Sequence, residues 1–174
     1  MKTLYVIVGP AFTGRAAEVN AFLEQSDENI QVIDETAIIR AQKFERVPRI
    51  PNYRYGLIAV MARSHLLTGR SVIAFCDNLS IEALVLWKKM SEEHQARCVV
   101  VLMGGDQEMA MERMTKLNLP KEQMNKMINE LANQFKKYDN IAEIFKNKLN
   151  TIGRDLADEV LEGLVEEDKD DEMA

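Results

Sequence analysis

A chain of 174 residues, 47% apolar and 29% charged, is long enough to bury the core of one domain and has the make-up of an ordinary globular protein. No apolar run reaches the roughly 18 residues that a membrane helix needs, so no membrane partner is expected. The net charge of −6 is uneven, because residues 166–174 hold six acids and one lysine. That end is expected to be a disordered tail, 166–174, behind a single domain, 1–165. It reads as a solubilising end, or as a nucleic-acid mimic or partner-binding tail.

In chain order, Leu4–Val8 is a short apolar strand, read as a first buried strand and not as a secretory leader. Further strands are expected at Ile30–Ile33, Ser71–Phe75, Cys98–Met103 and Ile141–Phe145. Between them, helical spacing is found over Arg15–Glu24, Tyr55–Thr68, Ile81–Glu93, Glu108–Leu117, Lys121–Lys137 and Arg154–Val165. Pro120 marks the start of one helix, and Gly69 can close another. Strand–helix alternation implies an α/β fold, a parallel sheet covered on both faces. Five strands with a phosphate loop after the first predict a three-layer P-loop kinase-like sandwich. Cys76 and Cys98 lie in strand-like runs and read as reduced core thiols of a cytoplasmic protein.

The loop after the first strand carries the chemistry. Gly9, four intervening residues and Gly14 form the strand–GxxxxG–helix frame of a P-loop. Backbone N–H groups and a helix N-terminus surround an anion in such a loop, and this needs no side chains. The frame should continue with Lys and then Ser or Thr; here it continues with Arg15 and Ala16. Arg15 keeps the charge on a larger planar head. Ala16 has no hydroxyl for Mg²⁺, and Thr13 stands three residues too early to replace it.

The stretch from Arg40 to Arg54 is the other concentration of chemistry. Arg40, Lys43, Arg46, Arg49 and Arg54 face a single acid, Glu45, with Phe44 and Tyr53 among them. Guanidinium groups bind phosphate bidentately and aromatic rings stack on bases, so the stretch is a substrate-side phosphate site or a solvated loop. Gly104-Gly105-Asp106 follows the fourth strand, where ligands bind in such folds, or is a plain turn with Asp106 as N-cap. Met109, Met111, Met114, Met124 and Met127 are either core and lid packing or an adaptable partner surface. His65 and His94 lack partners at metal spacing, so no metal ligand is assigned.

Together these motifs resemble the P-loop kinase domain of bacteriophage-type polynucleotide 5′-kinases and related zeta-toxin-like and AAA-type ATPases, from Lys2 to about Val165. Gly69, Val72, Ile73, Asn78, Leu79 and Trp87 keep the family's register, and Arg113 followed by Pro120 resembles its lid. Ile141–Phe145 resembles the last strand. The resemblance puts the phosphate-gripping Lys on Arg15 and the Mg²⁺-holding hydroxyl on Ala16. It puts the general base on Ala37, with Asp34 and Glu35 close by, and an Asp on Cys76, next to Asp77. It puts the second lid Arg on Leu117, next to Lys116.

Phosphoryl transfer depends on positioned charge and metal, and each roughly 1.4 kcal/mol of lost stabilisation is a tenfold loss of rate. The resemblance therefore implies a catalytically degenerate kinase, at most a weak phosphotransferase. It would bind ATP or another nucleotide, or a nucleic-acid 5′ end, in a binding or regulatory role, without support for Mg²⁺. The binding residues would be Gly9, Thr13, Gly14, Arg15 and Arg113, with Arg40, Arg46, Arg49, Arg54 and Asn78 on the substrate side. One alternative is an active 5′-polynucleotide or small-molecule kinase using Asp34 or Glu35 as base. The other is a protein-interaction module that binds no ligand and has a protein partner.

Overall fold

The computed structural model describes residues 1–33, 53–76, 79–146 and 155–164. Strand β1 (Thr3–Val8) leads into helix α1 (Arg15–Gln25), followed by β2 (Ile30–Ile33), α2 (Tyr53–Leu67), β3 (Ser71–Cys76), α3 (Ile81–Glu93), β4 (Arg97–Leu102), α4 (Gln107–Thr115), α5 (Lys121–Lys146) and β5 (Glu159–Glu162). The sheet is five-stranded and parallel throughout, in the order β2-β3-β1-β4-β5. The α/β sandwich expected from the alternation of elements is therefore what forms. Among the described residues no helix is long and apolar enough to cross a membrane.

The period of two in the strands sorts their side chains onto two faces. Leu4, Val6 and Val8 of β1 join Val72, Ala74, Cys98 and Val100 in a core that α2, α3 and the end of α5 complete with Leu66, Leu84, Trp87 and Ile141. Ile7 joins Ile73, Val99 and Val101 on the opposite face, which α1 covers with Val19, Phe22 and Leu23. β1 has β3 on one side and β4 on the other, so the chain reverses its direction of travel across the sheet beside β1. Ligands bind in the crevice at the carboxyl ends of strands at such a reversal. The loop of interest leaves β1 at that point. Cys76 and Cys98 are both buried and form no disulfide, and burial pushes the Cys98 thiol up to about 11.

The last strand is not where the sequence pattern put it. Ile141–Phe145 forms the final turns of α5, and β5 is Glu159–Glu162, inside the stretch expected to be a helix. Buried Leu131, Phe135, Ile141 and Ala142 continue one helical stripe along α5, so the apolar run at its end belongs to the 3.6-residue period. β5 reads Glu-Val-Leu-Glu, a composition suited to a short edge strand, where charge blunts further pairing.

Charged side chains hold this edge in place. Asp158 accepts from the Cys98 backbone N–H at 2.8 Å and from Lys88 Nζ at 2.7 Å. Arg97 pairs with Glu159. Burial alone would raise the Asp158 carboxyl, but the Cys98 N–H and the Lys88 ammonium outweigh it and hold its pKa below the usual carboxylate value. Burial likewise works against the Lys88 charge, and Asp158 again prevails, leaving the lysine pKa raised. A depressed carboxyl pKa contributes stability above the unfolded-state value that is lost as pH falls through the folded one. Asp158→Asn should therefore cost about 1 kcal/mol at pH 7, a figure discounted for a carboxylate that water partly screens. Denaturant melts of the two proteins should converge as the pH drops below 4, and a pH-independent difference would count against the ion pair.

Candidate functional site

The loop from Gly9 to Gly14 is shaped by close backbone approach and by unusual dihedrals. A Cβ on Gly9 would lie 2.1 Å from the Met103 carbonyl oxygen, so only glycine lets the loop leave β1 beside the end of β4. Gly14 is the N-cap of α1 at φ 81°, in the left-handed region. Phe12 also has a positive φ, 60°, which is rare for a bulky side chain. No side chain caps α1, and Ala16 and Ala17 at its start are exposed, so its first turn faces solvent. Uncapped N–H groups at a helix N-terminus favour an anion.

Two guanidinium groups from different helices converge on this loop. Arg15 Nη1 donates to Gly9 O at 3.1 Å, spanning the loop from its last residues to its first. The Arg15 head also lies over the Phe75 ring, 5.2 Å from its centre. Arg113 Nη1, from α4, donates to Phe12 O at 2.9 Å and lies 3.6 Å from the place of a Cβ on Gly14. The two cations that the sequence assigned to phosphate thus meet at one loop, although they are 98 positions apart. Thr13, also assigned to the loop, donates its hydroxyl to Pro10 O at 2.9 Å and sets its methyl against Gly105.

The remaining assigned residues fall differently. Arg54 sits in the first turn of α2. Asp34, Glu35, Arg40, Arg46, Arg49 and Asn78 lie outside the described residues, as do Ala37, Asp77 and the 166–174 tail. Leu117, in the place of the second lid Arg, is half exposed. Asp106 does cap α4, accepting from Glu108 N at 2.8 Å and Met109 N at 3.4 Å. Among the clustered methionines, Met114 is buried and Met111, Met124 and Met127 pack around the core between α4 and α5, while Met109 is exposed. Met111, Met114, Met124 and Met127 are packing residues.

Beside the loop opens a cleft of about 850 Å³ at the carboxyl ends of β4 and β5. Thr13, Gly104 and Gly105 line one side, Tyr138, Asp139 and Lys146 of α5 another, and Glu162 and Gly163 the end of β5. The Tyr138 ring would meet a Cβ on Gly104 at 3.0 Å and Thr13 would meet one on Gly105 at 3.1 Å, so Gly104 lets α5, and Gly105 lets Thr13, approach the turn after β4. Burial, then Glu162 and Asp139, raise the Tyr138 phenol above its ordinary pKa. Glu18 accepts from Leu164 N at 2.7 Å and ties α1 to the chain beyond β5.

Among the described residues, an uncapped helix start and two guanidinium groups suit an anion. Position 16 supplies no oxygen, and the hydroxyl of Thr13 is directed to Pro10 O. The α5 members of the site, Gln134 and Tyr138, were missed by the sequence reading. Gln134 Oε1 accepts from Ala11 N at 3.0 Å. Its signal was present: a polar side chain on the helix stripe defined by Leu131, Phe135 and Ile141.

No protein-family model matches the chain. No curated protein sequence matches it. Among solved structures, it is similar to the tunicamycin resistance protein of Deinococcus radiodurans, with a TM-score of 0.54 and 8% identity over 87% of this chain and 84% of that one. It is also similar to a gluconokinase from Sinorhizobium meliloti, with a TM-score of 0.51 and 13% identity over 90% of each chain. At such identities the likeness is one of architecture. The five-stranded parallel sheet, its flanking helices and the loop after β1 have the P-loop kinase-like fold.

Proposed function

We propose that this chain is a catalytically degenerate kinase-like protein, similar to polynucleotide 5′-kinases, that binds the phosphate of a nucleotide or of a nucleic-acid 5′ end in a binding or regulatory role. The observation that carries the proposal is the meeting of Arg15 and Arg113 on the carbonyls of Gly9 and Phe12, at the uncapped start of α1. Each guanidinium donates to a neutral carbonyl, a weaker partner than a phosphate oxygen. In this scheme an incoming anion is drawn to both positive heads. The basic stretch Arg40–Arg54 supplies further phosphate contacts in this scheme, with its aromatic residues available for stacking. Kinase chemistry needs a metal to neutralise the charge on the transferred group. Ala16 removes one of its usual ligands.

Calorimetric titration with ATP, ADP and a 5′-phosphorylated oligonucleotide, with and without Mg²⁺, tests the scheme. Binding of at least one phosphate ligand is expected, with no gain in affinity from Mg²⁺ and no product formed. Mg²⁺-dependent ATP binding with turnover would instead favour a working kinase. Failure of every phosphate ligand to bind would favour a module that acts through its protein surface.

A further inference from the structure

The tip of the phosphate loop is held from outside by the α4–α5 hairpin, through one side chain that the anion scheme uses, Arg113, and one that it does not, Gln134. Gln134 of α5 accepts the Ala11 N–H at 3.0 Å, and Arg113 of α4 donates to the Phe12 carbonyl at 2.9 Å. Consecutive backbone groups of the loop are thus taken by two different helices. Ala11 and Phe12 also pack against the buried core of the hairpin, formed by Ala110, Met114, Leu131 and Phe135. Phe12 packs there with a positive φ, a conformation disfavoured for a bulky residue and kept only where its surroundings enforce it.

These contacts join at one point two things that have no covalent reason to move together. The first turn of α1 is exposed, so the anion seat stays open while the tip is pinned. A loop already fixed in its bound shape loses less conformational freedom when a ligand arrives, and this raises affinity without a new contact.

We infer that Gln134 is a positioning residue for phosphate binding, which sets the shape of the Gly9–Gly14 loop by holding Ala11 and keeping Phe12 in the α4–α5 core. The inference rests on the proposal that this loop binds phosphate. It goes beyond it in assigning a role to a residue on another element that makes no contact with the ligand.

The test uses the full-length protein, inorganic pyrophosphate as the probe, and the variants Gln134→Met and Arg15→Ala. Gln134→Met keeps the length and packing of the side chain and removes its acceptor oxygen. It should weaken pyrophosphate binding about fivefold, as expected for one lost neutral hydrogen bond. Amide hydrogen exchange in the ligand-free protein should speed up at residues 11–13, and the exchange of β1 and β4 should stay unchanged. A merely structural role would lower global stability and raise exchange in the strands too, without a selective loss of affinity. Unchanged affinity with faster exchange at 11–13 would overturn the inference while leaving the phosphate loop intact. Unchanged exchange at those residues would show that the contact does not hold the loop. If Arg15→Ala also leaves the affinity unaltered, the loop is not the phosphate site, and both statements fall together.

Discussion

Gly9→Ala should destabilise the protein by more than about 3 kcal/mol, among the larger effects a single methyl group can have. The methyl carbon would sit 2.1 Å from the Met103 carbonyl oxygen and 3.0 Å from its carbon, both main-chain atoms. A flexible side chain could swing aside, but these atoms cannot. Met103 N donates to Val8 O at 2.8 Å, and Gly163 N donates to Leu102 O at 3.1 Å, so the end of β4 is fastened on both sides. Relief would require opening the sheet at its centre, where Val6, Val8 and Val100 are fully buried. For a chain of this size the melting temperature should fall by about 10 °C. Gly14→Ala is the internal comparison. Its Cβ would have open space, with Arg113 at 3.6 Å, so only the left-handed φ costs, about 1–2 kcal/mol. Denaturant midpoints that rank the two variants in the opposite order would contradict the close packing of the loop against β4.

Arg15→Ala should weaken phosphate binding at least tenfold, and the Arg15→Ala/Arg113→Ala double variant by about a hundredfold or more, since a hydrogen bond to a charged group contributes about 1.5–3 kcal/mol. The two losses should not add independently, because both side chains act on one loop. Arg15 bridges its ends at Gly9 and Arg113 holds its tip at Phe12. The fold itself should survive. Arg15 is half-buried at the loop, where it bonds Gly9 O and lies over Phe75, and Arg113 is exposed on α4. Isothermal titration with ADP at two salt concentrations is the measurement. The wild-type affinity should fall with added salt and that of the double variant should fall less steeply, because two of the screened charges have been removed. Equal affinities across the series would exclude the loop as the binding site.

How much of this was legible in the chain depended on which physical signal each element carried. β1, β3 and β4 are largely buried on both faces and read as near-continuous apolar runs rich in Val and Ile. Helix α3 spans Ile81–Glu93, as its helical spacing indicated, and its start is fixed by Ser80, whose hydroxyl accepts from Ala83 N. β5 was missed because an edge strand needs little hydrophobicity. Its pairing with β4 is backbone work, and Asp158 and Lys88 hold it from outside the strand. The end of α5 was taken for a strand because five residues are too few to separate the two periods. In the site, Arg15 and Arg113 were found through the positions they occupy in a resembling pattern. Gln134 could not be found that way: its place on the buried stripe of α5 marks it as inward-facing, but its partner Ala11 is set by the approach of α5 to the loop.

The sharing of Ala11 and Phe12 between the loop and the hairpin core bears on how this protein could be altered or could have diverged. In many proteins a surface hairpin can be exchanged as a cassette while the centre of the molecule is left alone. Here a transplanted α4–α5 would arrive without a pocket shaped for Phe12 or an acceptor opposite Ala11, and the loop at the heart of the sheet would be left without its mould. Residues 10–13 and the facing side chains of the hairpin form one unit of inheritance, so a graft of this region succeeds only when both halves travel together.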